Sequence, residues 1–188
     1  MDVETTRSRE DLRLIERYLT GDEYAVEELV MKYQKKIYAL AYRMTGNIED
    51  SKDMTQKTFL QAFNNLKGFK KKSSFYTWLY QIALNTCLNH VNKKDRFTEE
   101  VDDSFAHTGG SALSAIIETE KEAHLKRSLN ELPARQKTAV ILRAYDGLSL
   151  KETAEVMKCS EGAVKAHYHN GVKKLREILS PTFRDSQE

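Results

Sequence analysis

The stretch that decides the fold is SLKETAEVMKCSEGAVKAHYHNGVKKLR, residues 149–176. Ser149 can cap a first helix, and Glu152 three residues later completes a capping box, in which the two residues satisfy backbone donors reciprocally. Ser160 is a second capping residue, and the apolar residues after it recur at steps of three and four, which predicts a second helix from about Glu161. The stretch therefore predicts a helix-turn-helix.

The second predicted helix has a basic outer face. Its apolar positions fall on one side, and the remaining positions include Lys165, His167, His169, Lys173, Lys174 and Arg176. A basic helix of this kind fits the major groove of DNA, and its first turns would carry the side chains that meet base edges. Capped amphipathic helices with a few lysines also occur in proteins that bind no DNA, so the helix pair alone leaves both possibilities open.

The composition predicts an all-α chain, because only two prolines and eight glycines occur among 188 residues. We expect two small helical domains, at residues 10–96 and 114–179, with residues 1–9 frayed. The C-terminal domain is expected to hold four helices, including the helix-turn-helix. Between the domains, residues 97–113 are acidic, contain two glycines and show no periodicity, which predicts a flexible linker. The predicted helices before the helix-turn-helix cover about residues 10–19, 22–45, 48–65, 75–94, 114–130 and 133–145.

The net charge of +2 conceals an uneven distribution. Residues 67–96 hold seven basic side chains and one acid, whereas residues 97–122 hold seven acids and one lysine. Within the basic block, a lysine-rich loop is followed at once by aromatic residues, in the order LKGFKKKSSFYTWLY from residue 66. This pattern is typical of single-stranded nucleic-acid binding, in which lysines track phosphates and exposed rings stack on bases. Some of these rings are expected in the core, Trp78 among them.

The third predicted helix carries a polar patch on its outer face, formed by Asp50, Asp53, Gln56 and Lys57 at helical spacing. A patch of this kind is either ordinary solvated surface or a docking face for a partner.

Several function classes find no support in the sequence. The five histidines show no metal-ligand spacing with Cys87 or Cys159, which are expected to be two buried free thiols. No glycine-rich phosphate loop or nucleophile motif is present, so we expect neither an enzyme nor a cofactor. The N-terminus lacks the apolar segment of a signal peptide, and the uncharged run at residues 73–92 is too polar to cross a membrane. We therefore expect a soluble cytoplasmic protein.

The chain resembles the small extracytoplasmic-function (ECF) group of bacterial RNA polymerase sigma factors. Four separated motifs carry the resemblance, in the family's order. They are AVEELVMKYQKKIYALAYRMTGN (25–47), EDSKDMTQKTFLQAF (49–63), SSFYTWLYQIALNTCLNHVNK (73–93) and LPARQKTAVILRAYDGLSLKETAEVMKCSEGAVKAHYHNGVKKL (132–175).

The resemblance implies a non-catalytic transcription initiation factor with core RNA polymerase, promoter DNA and an anti-sigma factor as partners. The polar patch of Asp50, Asp53, Gln56 and Lys57 would bind the polymerase. The N-terminal domain would also engage the −10 element, assist melting and capture a flipped base through Phe69, Lys70, Lys71, Lys72, Ser73, Ser74, Phe75, Tyr76 and Trp78. The C-terminal domain would contact the −35 element through Ser160, Glu161, Ala163, Lys165, Ala166, His167, His169, Asn170, Lys173 and Lys174.

Some positions depart from the family pattern, and two other functions stay open. Lys57 stands where the family usually has glutamate, and His167, His169 and Asn170 stand where arginines are frequent, which predicts weaker non-specific DNA affinity. The end of the chain also resembles the DNA-binding domain of response-regulator-like transcription factors, although residues 1–95 show no alternating strands. An adaptor that binds polymerase but not DNA is the other alternative.

Overall fold

The computed structural model of the chain describes residues 3–71, 73–100 and 120–184, with side chains over 8–71, 73–94 and 125–180. Within these ranges the ordered elements are helices, and no strand occurs, which confirms the all-α prediction. None of the helices in these ranges is long and apolar enough to cross a bilayer. Contacts divide the chain into two units, Met1–Phe97 and Thr98–Glu188, which are described separately.

The first unit contains four α-helices and one 3₁₀ turn. They are α1 (Val3–Leu19), α2 (Tyr24–Thr45), α3 (Ile48–Asn64), the 3₁₀ turn Leu66–Gly68 and α4 (Phe75–Glu100). The expectation that residues 1–9 fray is wrong from Val3 onward. Extending a formed helix adds one backbone hydrogen bond per residue, and residues 3–9 contain no glycine or proline that would stop α1.

The predicted linker begins inside a helix. We expected α4 to end at about Lys94 and the linker to start at residue 97, but α4 continues to Glu100. Helix propagation again explains the difference, because residues 97–100 contain no glycine or proline to stop it. Residues 101–113 of the predicted linker, and residues 114–119 of the helix predicted after it, lie outside the described residues.

The core of the first unit is lined by α2, whose Leu29, Tyr33 and Ile37 are fully buried. Asp11 of α1 is also buried, and it has two partners on α2. The Tyr33 hydroxyl donates to Asp11 Oδ2 at 2.5 Å, and Lys32 Nζ donates to Asp11 Oδ1 at 2.7 Å. A buried carboxylate with both oxygens satisfied fixes the pairing of its two helices, because removing one partner leaves a charge away from water.

Thr20 and Glu23 have the spacing of a capping box, which predicts such a cap between α1 and α2, but this prediction is wrong. Glu23 makes no side-chain cap; instead Asp22 Oδ1 accepts from the Tyr24 N–H at 3.1 Å. The Arg17 guanidinium donates to Asp22 at 2.9 Å, and this hydrogen bond lowers the pKa of Asp22. The turn is therefore fixed by an ion pair that the local spacing did not indicate.

The N-cap of α3 is Asn47, a residue type that favours this position and so predicts the cap from the sequence. The Asn47 side chain accepts from the Asp50 N–H at 2.9 Å, and Gly46 before it adopts the left-handed conformation that ends α2.

Four α-helices are described in the second unit, and Leu129, Leu132, Val140 and Leu175 form a buried cluster within it. The helix predicted over residues 133–145 changes form at residue 141, where the backbone widens into a π turn. The Asp146 N–H reaches back five residues to the Ile141 carbonyl at 3.1 Å. The elements of this unit are α5 (Glu120–Asn130), α6 (Ala134–Val140), the π turn Ile141–Tyr145, α7 (Leu150–Met157) and α8 (Glu161–Arg184).

Gly171 is the point of closest approach between α6 and α8. A β-carbon at Gly171 would lie 2.8 Å from Val140 Cγ2 and 3.2 Å from the Gln136 carbonyl oxygen. The pair of helices therefore packs where α8 has no side chain.

Replacing Gly171 with alanine is expected to lower the free energy of unfolding of the second unit by about 1 kcal/mol, because overpacking outweighs the gain in helix propensity. Gly162→Ala on the same helix is the control: its β-carbon would meet only Ser160 Oγ at 3.9 Å. That variant is expected to raise the free energy of unfolding by up to about 1 kcal/mol. Chemical denaturation measures both, and equal stabilisation by the two substitutions would show that the crossing is not tight.

Candidate functional site

The helix-turn-helix forms as the capping residues predict. Ser149 N–H donates to Glu152 Oε2 at 2.7 Å, and Glu152 N–H donates to Ser149 Oγ at 3.2 Å, so the capping box is confirmed. Lys158 ends α7 in the left-handed conformation, with φ of 51°. Ser160 Oγ then accepts from the Ala163 N–H at 3.2 Å and starts α8. Both ends of the turn are thus fixed by side chains or special backbone geometry.

The two sides of α8 have different environments. Val164, Gly171 and Leu175 are buried against the rest of the unit. Ala163, His167 and Lys174 are partly buried at the edges. The other predicted DNA-contacting residues are exposed on α8 or just before it: Ser160, Glu161, Lys165, Ala166, His169, Asn170 and Lys173. The helix therefore presents basic and polar side chains to solvent along the face that the sequence predicted.

The lysine-rich loop of the first unit lies between the 3₁₀ turn and α4. Lys70 and Lys71 are exposed, and Lys72 lies outside the described residues. Lys71 has a positive φ of 55°, and its Nζ lies 2.9 Å from Glu16 Oε1 of α1. An ion pair thus connects the loop to a helix far from it in sequence.

The aromatic residues after the loop divide into buried and accessible rings. Phe75 and Tyr76 are 1% and 7% exposed and pack on Tyr33, with ring centroids 5.8 Å away in both cases. Their prediction as DNA-contacting rings is not supported by this burial, because a ring inside the core cannot stack on a base. Phe69 and Trp78 are half-buried, and their ring centroids lie 5.1 Å apart. These two rings form the aromatic edge beside the loop.

Ser73 and Ser74 are partly buried, and Ser74 has a structural task. Ser74 Oγ accepts from the Thr77 N–H at 3.1 Å and lies 2.8 Å from the Thr77 hydroxyl, so it caps the first turn of α4. The cap fixes the direction in which α4 leaves the loop, and hence the position of Trp78.

Sequence reasoning missed one basic residue near these rings. Lys36 of α2 is exposed, and its Nζ lies 5.2 Å from the centre of the Tyr76 ring. Only the packing of α2 against the start of α4 brings it there, and no local motif could have indicated it.

The polar patch on α3 is partly neutralised by ion pairs. Asp50 is 22% exposed, with Lys94 Nζ at 3.1 Å and His90 Nε2 at 3.2 Å, both from α4. Asp53 pairs with Lys57 at 2.7 Å along the helix, and Gln56 is exposed. Asp50 therefore joins two helices, while the other three residues lie further out.

Asp50→Asn is expected to lower the free energy of unfolding by about 1 kcal/mol at neutral pH. Burial alone would raise the pKa of Asp50, but the hydrogen bond from Lys94 and the nearby His90 ring outweigh burial and lower it from 3.8. A lowered folded-state pKa gives stability that is present above the unfolded pKa and is lost as the pH falls through the folded pKa.

The gap between wild type and Asp50→Asn should therefore narrow as denaturation is repeated from about pH 5 down to about pH 3. The control is Glu49→Gln, which removes an exposed carboxylate paired only with Lys52 at 3.0 Å in the described contacts. It should change the free energy of unfolding by less than about 0.5 kcal/mol. A pH-independent gap for Asp50→Asn would contradict the ion-pair interpretation.

An apolar groove of about 650 Å³ lies beside the polar patch, between α2 and α3. Gln56 lines it together with Phe59, Leu60 and Phe63, and Leu60 is 56% exposed. The sequence analysis did not predict this groove. Leu60 indicates the groove in the sequence, because it is an apolar residue outside the set of α3 positions that face the core.

The structure brings together no metal site where side chains are described: no three His, Cys, Asp or Glu side chains gather as ligands would. Cys87 is a buried free thiol as expected, whereas Cys159 is partly exposed, so the expectation of two buried thiols is wrong for Cys159.

Comparison with known families identifies both units. Residues 29–97 match the family model Sigma-70 region 2, and residues 124–175 match Sigma-70 region 4. The chain is 34% identical to the RNA polymerase sigma-H factor of Pseudomonas aeruginosa, over 94% of this chain and 97% of that protein. It is 31% identical to the ECF RNA polymerase sigma factor SigW of Bacillus subtilis, over 88% of this chain and 94% of that protein.

The chain belongs to the ECF group of RNA polymerase sigma factors. This sigma factor is accordingly a transcription initiation factor that recognises promoters. Its fold is also that of the sigma factor RpoE from Bartonella quintana, solved in complex with the anti-sigma factor NepR. The two chains superpose with a TM-score of 0.65 at 22% identity, covering 82% of this chain and 96% of the other.

The matched segments contain the candidate sites. The polar patch and the basic loop lie within the region 2 match, and the α8 residues up to Lys174 lie within the region 4 match. α1 precedes the region 2 match, so Glu16 and its contact with Lys71 belong to a part of the chain that the family model does not cover.

Proposed function

We propose that the two units of this sigma factor divide the promoter between them, residues 10–96 at the −10 element and residues 114–179 at the −35 element. The observation that carries this proposal is that basic side chains are exposed at two separate places, each inside one of the two matched family regions. Two basic surfaces on two units allow one chain to hold two promoter segments at once.

At the −35 element, α8 enters the major groove. Lys165, Lys173 and Lys174 contact phosphates and set the register, which carries no sequence information by itself. Ala166, His169 and Asn170 lie nearer the base edges, where alanine can meet a thymine methyl and asparagine can hydrogen-bond to adenine. Ala163 and His167 are partly buried. They lie at the edge of the proposed DNA-contacting surface of α8.

At the −10 element, the loop and the accessible rings act on the opened strand. Lys70 and Lys71 hold phosphates of the displaced strand, and Lys72 is expected to do the same. Phe69 and Trp78 take an extruded base, whose stacking offsets part of the free energy of unpairing. Phe75 and Tyr76 support these rings from the core rather than contacting DNA.

Polymerase binding is assigned to Asp53, Gln56 and Lys57, with Asp50 holding the patch in place through its pairs with α4. An anti-sigma factor is a further proposed partner, because the structurally similar Bartonella protein is bound to one. The sigma factor acts by binding alone, without catalysis or cofactor, in the cytoplasm where its polymerase partner works.

The test adds the purified full chain to core RNA polymerase and sequences the transcripts from genomic DNA. Promoter-dependent transcripts that share −35 and −10 sequences are expected. Transcripts that are the same with and without the protein would refute the proposal. An adaptor that binds polymerase alone would co-purify with the polymerase but would be indifferent to Lys70→Ala and Lys165→Ala.

A further inference from the structure

The basic loop makes one described ion pair to an acidic group, and that group lies on α1. Lys71 Nζ donates to Glu16 Oε1 at 2.9 Å across a separation of 55 residues. The two side chains are 52% and 62% exposed. The pair is therefore open to solvent, and a polyanion can reach Lys71 without unfolding α1.

The backbone conformation at Lys71 is unusual. Lys71 has a φ of 55°, in the left-handed region that residues other than glycine and asparagine rarely adopt. Lys158 shares this conformation, but it ends a helix, where left-handed residues are common. Lys71 does not end a helix, so this explanation does not apply to it. The left-handed conformation of Lys71 occurs together with its ion pair to Glu16.

We propose that Glu16 occupies Lys71 as a substitute for a DNA phosphate and is displaced when a single strand enters the loop. A carboxylate and a phosphate both offer anionic oxygens that accept charge-assisted hydrogen bonds from an ammonium group. Glu16 and the strand cannot both hold Lys71 at the same short distance. This inference rests on the proposed role of the loop, and it makes α1 a regulator of that role.

The direction of the effect separates this proposal from a purely structural role for Glu16. A competing carboxylate lowers the affinity for the strand, so its removal should tighten binding. A structural support would have the opposite consequence, because its removal would loosen the loop and weaken binding. Exposed ion pairs have small free energies, so the expected change is about two- to fivefold.

The experiment measures binding of the full chain to a labelled oligothymidylate of about 12 nucleotides by fluorescence anisotropy at low salt. Glu16→Gln is expected to bind about two- to fivefold more tightly than wild type. Glu10→Gln is the matched control, because it removes the same charge from α1 but its carboxylate lies 3.1 Å from Lys32, not from the loop. Its affinity should equal that of wild type.

A double substitution tests the mechanism. Lys71→Gln should weaken binding, and Glu16→Gln should add nothing once Lys71 is gone, because the contact it would release no longer exists. Unchanged or weaker binding by Glu16→Gln alone would overturn the inference and leave the role of the loop intact. If Lys71→Gln and Lys70→Gln both bind like wild type, or if wild type itself does not bind, the proposed role of the loop fails and the inference fails with it.

The fold should survive these substitutions. α1 is anchored independently by buried Ile15 and by the contact of Asp11 with Tyr33. Thermal unfolding of each variant checks this, and an unfolding temperature for Glu16→Gln equal to that of Glu10→Gln assigns the difference in affinity to the loop contact.

Discussion

Replacing Lys165 with glutamate is expected to reduce promoter-dependent transcription by about tenfold or more at low salt. Lys165 is exposed on the outer face of α8, one residue after the buried Val164 that anchors the helix. The substitution removes one phosphate contact and places a negative charge against the DNA backbone, and electrostatic attraction to phosphates supplies much of the affinity of such complexes. The difference between the variant and wild type should narrow as the salt concentration rises, because salt screens both the lost attraction and the added repulsion.

The measurement uses the holoenzyme, and a gel mobility shift measures its closed complexes. The promoter is one identified from the transcripts sequenced in the test of the proposed function. Arg135→Glu is the matched control, because it makes the same charge change at an exposed position on α6 of the same unit. We expect less than a twofold change for it, because Arg135 is not among the residues proposed to contact DNA. Full promoter recognition by Lys165→Glu would remove α8 from the DNA interface.

The double substitution Lys70→Ala and Lys71→Ala is expected to separate promoter binding from promoter opening. Closed complexes should form at close to the wild-type level, because the −35 contact proposed for α8 is unchanged. Open complexes should fall by about tenfold, since two lysines that would hold the phosphates of the displaced strand are lost. The defect should appear in opening and leave recognition intact.

Permanganate reactivity of unpaired thymines measures opening, and the same mobility assay measures closed complexes. Lys67→Ala is the control: it removes the same charge at an exposed position in the 3₁₀ turn before the loop, and Lys67 is not among the residues proposed to contact the strand. It should open promoters normally. An equal loss of closed and open complexes for the double variant would show that the loop has only a structural role.

Capping chemistry explains why the sequence was sufficient for the helix-turn-helix. Ser149, Glu152 and Ser160 act on backbone groups three residues away, so their consequences are visible in a short window. Asn47 at the start of α3 is predictable for the same reason. The exposed face of α8 follows from the same local information, because one helical period determines which residues share a side.

Properties that depend on distant parts of the chain were predicted less well. Phe75 and Tyr76 look like accessible rings next to the lysines, yet Tyr33 of α2 packs against both and buries them. Asp50 looks like open surface until α4 places His90 and Lys94 beside it. In each case the deciding partner is more than thirty residues away, and no periodicity indicates which helices will meet.

Helix ends form a third class. The lengths of α1 and α4 exceed the predictions because a formed helix extends until a residue stops it, and no glycine or proline stands at the added positions. The π turn after Val140 has no counterpart in the apolar pattern, which continues through Ile141 and Leu142. Apolar spacing thus indicates what a helix buries more reliably than where it ends or changes form.

The separation of the two sides of α8 has a consequence for how such factors diverge. Val164, Gly171 and Leu175 hold the helix, whereas His169 and Asn170 contribute nothing to its packing. Substitutions at exposed positions usually change the free energy of unfolding by less than about 0.5 kcal/mol. Under the proposed role of α8, duplicated genes can exchange these outer side chains one at a time and acquire new sets of target genes, while the inner positions preserve the same helix in every descendant.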